Sequence, residues 1–161
     1  IEVARILKGR VNELHFLLTG PARGYVTAGL ARIGVPVTHV IQKDYTDIAE
    51  NYHAVDAYVV TSREEGGPRA ILESMATGVP IISTRVGQAA DLITHGANGW
   101  LCDVGDVEAL AHWTEVALEN DYSSSSVSSL ARSTAEKNSW IAQTELWQNF
   151  FDGIVEKGNV N

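Results

Sequence analysis

Short apolar runs alternate with stretches whose apolar residues recur at helical spacing, and this alternation governs the first hundred residues. Ile1, Ala4 and Ile6-Leu7 in the segment Ile1 to Arg10 fit part of an amphipathic helix. Leu14-His15-Phe16-Leu17-Leu18-Thr19, ended by Gly20-Pro21, reads as a buried parallel strand. Residues 21–33 form the next helix, closed by Gly34, and Val37 to Ile41 is a second, β-branched strand. Asp44 to His53 reads as a helix with Asp44 as its N-cap. Ala57 to Thr61 and Val79 to Thr84 are the third and fourth strands, and Gly99 to Cys102 is a brief last one. A short helix over Gly87 to His95, ended by Gly96, separates those last two. Strands alternating with helices predict an α/β fold, a Rossmann-like doubly wound parallel sheet.

The chain beyond residue 103 is helical in pattern. Asp106 caps a helix from Val107 to Glu119, with Leu110, Trp113, Val116 and Ala117 on one face. Ser123 to Ser129 is serine-rich but runs into Leu130-Ala131, so it reads as a loop leading into a helix start. Trp140 to Glu156 is a final helix with Ser139 as N-cap and a stripe of Trp147, Phe150, Phe151 and Ile154. The tail after Gly158 is expected to fray.

Between the third and fourth strands lies the segment with the clearest chemistry, from Arg63 to Gly78. Glu65 and Glu73 bracket a turn containing Gly66 and Gly67 and the first part of a helix. In an open parallel sheet, ligands bind outside the carboxyl ends of the strands, where helix amino ends also point. Two carboxylates and two glycines therefore fall on the expected ligand edge. A plain strand-to-helix turn also explains the glycines, and a carboxylate favouring the helix dipole explains Glu65. Neither explains Glu73, set between Leu72 and Met75.

Composition narrows the classes. At 161 residues, 45% hydrophobic and 20% charged, the chain suits one soluble domain. No apolar run approaches the roughly 20 residues that span a bilayer. The net charge of −8 argues against nucleic acid as a partner, though local arginines and helix amino ends can still hold a phosphate. Cys102 is the single cysteine, which excludes an internal disulfide and suits a reducing, cytoplasmic compartment. The five histidines are scattered, without metal spacing, and no Walker sequence is present.

From Val37 to Leu118 the chain resembles the carboxy-terminal, donor-binding domain of the family 4 glycosyltransferases, which have the GT-B fold. The carrying motifs are the Glu-x7-Glu from Glu65 to Glu73, then Ser74-Met75-Ala76-Thr77-Gly78-Val79-Pro80-Ile81 in place of the family's E-A-M-A-x-G-x-P-V. Gly87-Gln88-Ala89-Ala90-Asp91-Leu92-Ile93 matches G-G-x-x-E-I-V, Asn98-Gly99-Trp100-Leu101 matches N-G-x-L, and Asp106 to Ala111 matches the helix beyond. The resemblance implies transfer of a sugar, with retention of anomeric configuration, from a nucleotide-diphosphate sugar. It implies no cofactor besides that donor, and no metal. Glu73 would accept hydrogen bonds from the ribose hydroxyls, and Glu65 would lie beside the donor sugar as the expected catalytic residue. Gly66 and Gly67 would bring backbone N–H groups close to the diphosphate, Arg69 with Arg63 and Arg85 would offer phosphate partners, and backbone around Val40 and Ile41 would meet the base.

The chain departs from the family in three places. Gly66-Gly67-Pro68 replaces a glycine-aromatic-glycine, so no ring stacks there. Gln88 and Asp91 replace the second glycine and the glutamate of G-G-x-x-E. Most importantly, the family's first strand and its R-x-x-x-K-G segment precede the first helix, and Lys8-Gly9 matches only their end. That strand belongs in the middle of a sheet of order 3-2-1-4-5-6. Either a segment outside these residues supplies it, leaving an open gap, or the sheet closes in an unusual way.

Because the first residue is Ile1, the expectation is one domain over residues 1–161 from a two-domain protein whose amino-terminal acceptor domain is missing. Such a domain would bind donor weakly and transfer nothing alone, and would reach a membrane only peripherally, through the full-length protein. The alternatives are a nucleotide-sugar-binding or regulatory domain without transferase activity, a nucleotide-sugar epimerase of the same fold, and a generic α/β domain.

Overall fold

The computed structural model describes residues 1–21, 24–67, 69–120, 122 and 125–158, with side chains described as far as residue 155. The predicted frayed tail, Pro68 of the glycine turn and Ser123-Ser124 of the serine-rich stretch lie outside the described residues. The elements run α1 (Glu2–Lys8), β1 (Phe16–Thr19), α2 (Gly24–Arg32), β2 (Val37–Val40), α3 (Tyr45–His53), β3 (Tyr58–Val60) and α4 (Arg69–Thr77). There follow β4 (Ile81–Thr84), α5 (Ala89–Leu92), β5 (Trp100–Cys102), α6 (Val107–Glu119), α7 (Ser126–Lys137) and α8 (Trp140–Gly158).

All strand pairs are parallel, in the mixed α/β arrangement expected, but they form two sheets and not one. β1 pairs with β2, with Phe16 opposite Val37 and Thr19 opposite Val40. β4 lies between β3 and β5, with Tyr58 opposite Ile81 and Ile82 opposite Trp100. The open-gap arrangement is therefore the one found: β1 and β3 each pair on one side only among the described residues. α1 ties the two halves together. Its Val3 and Leu7 pack in the cluster of Ile82, Trp100 and Leu110, while its Ala4 packs with Leu30 and Val35.

Helix starts follow the predicted caps. The Asp44 carboxylate accepts from the N–H groups of Thr46 and Asp47, Asp106 accepts from Ala109, and the Ser139 hydroxyl accepts from Ala142. α4 is fixed on both sides: Ile71 and Met75, fully buried, pack with Ile81 of β4 and with Ala131 and Ala135 of α7. The Ser128 hydroxyl of α7 donates to the Gly78 carbonyl at 3.1 Å, just past the end of α4.

Three elements differ from expectation. α5 has only four residues, because Ile93 turns extended (φ −95°, ψ 116°) and His95 bridges Gly99. Asn98 locks that turn, accepting from Thr94 N–H at 2.7 Å and donating to Leu92 O and Thr134 Oγ1, both at 3.0 Å. α6 buries Leu110, Ala111, Thr114 and Ala117, with Trp113 and Val116 only half-buried, so the face is rotated slightly from the one predicted. The α8 stripe does not face a core: Trp147, Phe150, Phe151 and Ile154 are 48–57% exposed. No helix of the described residues is long and apolar enough to cross a membrane.

Candidate functional site

The carboxyl ends of β3 and β4 are fastened to each other before any ligand is considered. Thr84, 1% exposed at the end of β4, donates its hydroxyl to the Ser62 carbonyl at 2.6 Å. Ser62 in turn donates its own hydroxyl to Glu65 Oε1 at 2.8 Å. A charge-assisted bond of this kind orients the carboxylate without neutralising it. Gly87, in the loop after β4, has φ +46°, and a Cβ there would lie 2.6 Å from the Glu65 carbonyl oxygen and 3.0 Å from that of Gly66. The loops after β3 and β4 thus abut backbone to backbone, which only glycine at position 87 permits.

The predicted glycines play a different part. Gly66 and Gly67 do not have positive φ, so backbone conformation does not demand them. A Cβ on Gly66 would meet nothing within 4 Å, and one on Gly67 would come nearest to the Gln88 side chain, at 3.4 Å. Their small size leaves open space on the ligand edge. Gln88, the residue in place of the family's second glycine, reaches into that space from the next loop.

Glu73 lies on the second turn of α4 and is half-buried. Tyr52, near the end of α3, donates its hydroxyl toward Glu73 Oε2 and the Ala70 carbonyl, both at 3.3 Å. The Tyr52 ring meets Tyr58 of β3 edge-on, at a centroid distance of 5.1 Å and 71°. Burial first, then the neighbouring Tyr58 and the Glu73 carboxylate, raise the Tyr52 phenol far above its ordinary value, so it stays protonated and can donate. Burial also raises the Tyr58 phenol, and the charges of Glu73 and Glu65 both add to that rise.

The remaining predicted residues are spread more widely. Arg69 is exposed at the first position of α4, and Arg63 is exposed in the loop before it. Arg85, after β4, faces Asp103 at 3.8 Å across solvent. Asp91 is exposed on α5. Val40 ends β2 in the other sheet and Ile41 follows it, 69% exposed, so the structure does not join them to Glu65 and Glu73 within one sheet. Between the two sheets runs a narrow cleft of about 50 Å³, lined by Leu17 and Thr19 of β1, Tyr58 of β3, and Ile48, Asn51 and Tyr52 of α3. The Asn51 side-chain nitrogen is buried there without a hydrogen-bond partner among the described residues. A larger hollow of about 490 Å³ lies at the opposite end, by Asp56 and Pro80 before β3 and β4, and includes neither glutamate. Cys102 is buried in β5; that burial, reinforced by Asp106 and Asp103, pushes its thiol up to about 11, so it is no nucleophile at neutral pH.

The local sequence around the motif does not reveal Tyr52, Ser62 or Thr84. Tyr52 and Thr84 act across 21 and 22 residues of chain on elements that pair only in the fold.

Comparison with known proteins gives a consistent picture. The family described as glycosyl transferases group 1 matches residues 1–120. A GDP-mannose-dependent alpha-mannosyltransferase of Corynebacterium glutamicum is 34% identical over 114 residues, which is 68% of this chain and 27% of that protein. Three further curated relatives are matched over 17%, 29% and 32% of their length, so the chain spans less than a third of each. Among solved structures, Anabaena HepE in complex with UDP superposes with a TM-score of 0.80 at 21% identity, covering 94% of this chain and 44% of that one. The C-terminal domain of a group 1 family glycosyl transferase (LpcC) from Francisella tularensis gives 0.73 at 18% identity, covering 84% of this chain and 75% of that one. At these identities the structural likenesses establish the fold.

Proposed function

The chain belongs to the group 1 glycosyl transferases, and from that premise we propose that residues 1–161 are the carboxy-terminal, donor-binding domain of a retaining glycosyltransferase. The donor is a nucleotide-diphosphate sugar, bound across the carboxyl ends of β3 and β4. The observation that carries this reading is the interlocked pair of loops, with Glu65 oriented by Ser62 and Glu73 half-buried on the helix that follows. UDP in the HepE crystal structure supports a nucleotide ligand for this fold.

Each residue has a chemical task. Glu73, an acceptor with lone pairs on both oxygens, takes hydrogen bonds from vicinal ribose hydroxyls. The open space over Gly66 and Gly67 admits the diphosphate against the backbone, and the amino end of α4 adds its partial positive charge there. Arg69, at the first position of that helix, supplies a full positive charge to the phosphates. Glu65 sits on the sugar side, where a carboxylate stabilises positive charge developing at the anomeric carbon. Backbone at Val40 and Ile41 meets the base across the gap between the sheets. No further cofactor takes part.

The acceptor is bound by a second domain outside these residues, and this domain alone transfers nothing. A parallel strand from the remainder of the protein completes the sheet between β1 and β3, beside the cleft in which the Asn51 amide has no partner among the described residues. The exposed apolar side chains of α8 are suited to covering by that second domain. A reducing, cytoplasmic setting suits the one buried thiol.

Isothermal titration of the domain with UDP, GDP and ADP tests the reading. One diphosphate should bind, and Glu73→Ala should weaken it by about 10- to 100-fold, the worth of hydrogen bonds to a charged group. No binding of any of the three, or binding unchanged in Glu73→Ala, contradicts it.

A further inference from the structure

Tyr52 occupies a place that the glutamate motif does not require. It lies near the carboxyl end of α3, and helical side chains tilt toward the amino end of their own helix. The Tyr52 ring packs against Tyr58, the first residue of β3, and its hydroxyl points across to α4. Tyr58 supports it edge-on, and Tyr52 is 8% exposed. Its hydroxyl then reaches one turn of α4 at two points, the Ala70 carbonyl and Glu73 Oε2, both at 3.3 Å.

A glutamate side chain has three rotatable bonds, and a carboxylate that must receive two adjacent hydroxyls works best when already held in one orientation. A buried phenol that remains a donor is suited to hold it. One lone pair of Oε2 receives Tyr52, which leaves Oε1 and the rest of Oε2 as acceptors. We propose that Tyr52 is a positioning residue for Glu73: its hydroxyl fixes the carboxylate in the orientation that accepts from the ribose 2′ and 3′ hydroxyls. Tyr52 thereby sets the preference for a ribonucleotide over its 2′-deoxy counterpart. This rests on the reading that Glu73 meets the ribose.

The test is a set of titrations with whichever of UDP, GDP and ADP binds most tightly, together with its 2′-deoxy form. It uses the wild type, Tyr52→Phe, Glu73→Gln and the double variant. The wild type should prefer the ribose form by about tenfold, the worth of one hydrogen bond to a charged group. Glu73→Gln should abolish most of that preference. Tyr52→Phe should lower the preference severalfold by weakening the ribose form while leaving the 2′-deoxy form within about twofold, and should add little in the double variant. A general loosening of the fold would weaken both forms alike. Equal weakening of both forms, no change, or full additivity with Glu73→Gln overturns the role of Tyr52. A wild type without ribose preference, or one unchanged in Glu73→Gln, overturns the ribose reading of Glu73 itself. Tyr52→Phe keeps the ring against Tyr58, and the unchanged affinity for the 2′-deoxy form, measured on the same sample, shows that the fold is intact.

Discussion

β4 and β1 are both four-residue parallel strands, yet Ile81–Thr84 is buried throughout while Phe16–Thr19 has no fully buried residue. The difference lies in their neighbours. β4 is bonded on both edges, to β3 and β5, and covered by α4 and α6, whereas among the described residues β1 is bonded only to β2. The buried hydroxyls of β4 are all used: Ser83 donates to the Thr84 carbonyl and Thr84 to the Ser62 carbonyl. The three-stranded sheet, with β4 at its centre, carries the Glu65–Glu73 segment, and the two-stranded one carries Val40 and leads into Ile41. Both sheets leave an edge open toward the gap, at β3 and at β1, so the contrast lies between a central strand and an edge strand among the described residues.

Truncating the two strands alike puts that contrast to its strongest test. Ile81→Ala, at a position with no exposed surface, should cost about 2–5 kcal/mol in urea denaturation. Leu18→Ala, on the half-buried β1, should cost about half as much or less, because little surface returns to water. Equal losses would mean that the two sheets are equally well packed.

A smaller effect separates the glycines. Gly87→Ala, at φ +46° and with a Cβ 2.6 Å from a backbone oxygen, should destabilise by about 1–3 kcal/mol and push the two ligand-edge loops apart. Gly66→Ala, with free space around it, should stay within about 0.5 kcal/mol of wild type in stability while still weakening nucleotide binding. Thermal melting beside titration resolves both. A Gly66→Ala domain that binds as well as wild type would remove the diphosphate from that space.

Much of the local architecture is legible in the sequence, because caps and periodicities are local events. Asp44, Asp106 and Ser139 begin their helices as their side-chain oxygens predict. The Glu65–Glu73 spacing correctly marks a loop and the following helix. What escapes is non-local. Gly87 matters more to the loop geometry than Gly66 or Gly67, because the crowding comes from another loop. α5 is short because Asn98, six residues beyond its end, takes the Leu92 carbonyl. Tyr52 reads as an ordinary helix residue until the fold sets it beside Glu73. The apolar stripe of α8 has the right period for a buried face, and period alone does not say which surface covers it.

Nucleotide binding at the interlocked ends of β3 and β4 is what every assigned role depends on. Backbone amide shifts during titration with UDP, GDP or ADP test it most directly, with each residue reporting its own environment. The predicted result is a set of perturbed amides at Glu65, Gly66, Gly67, Gly87, Gln88 and Glu73, lost together in Glu73→Ala. Shifts confined instead to the larger hollow at the other end, around Asp56, Thr77 and Arg132, would contradict it.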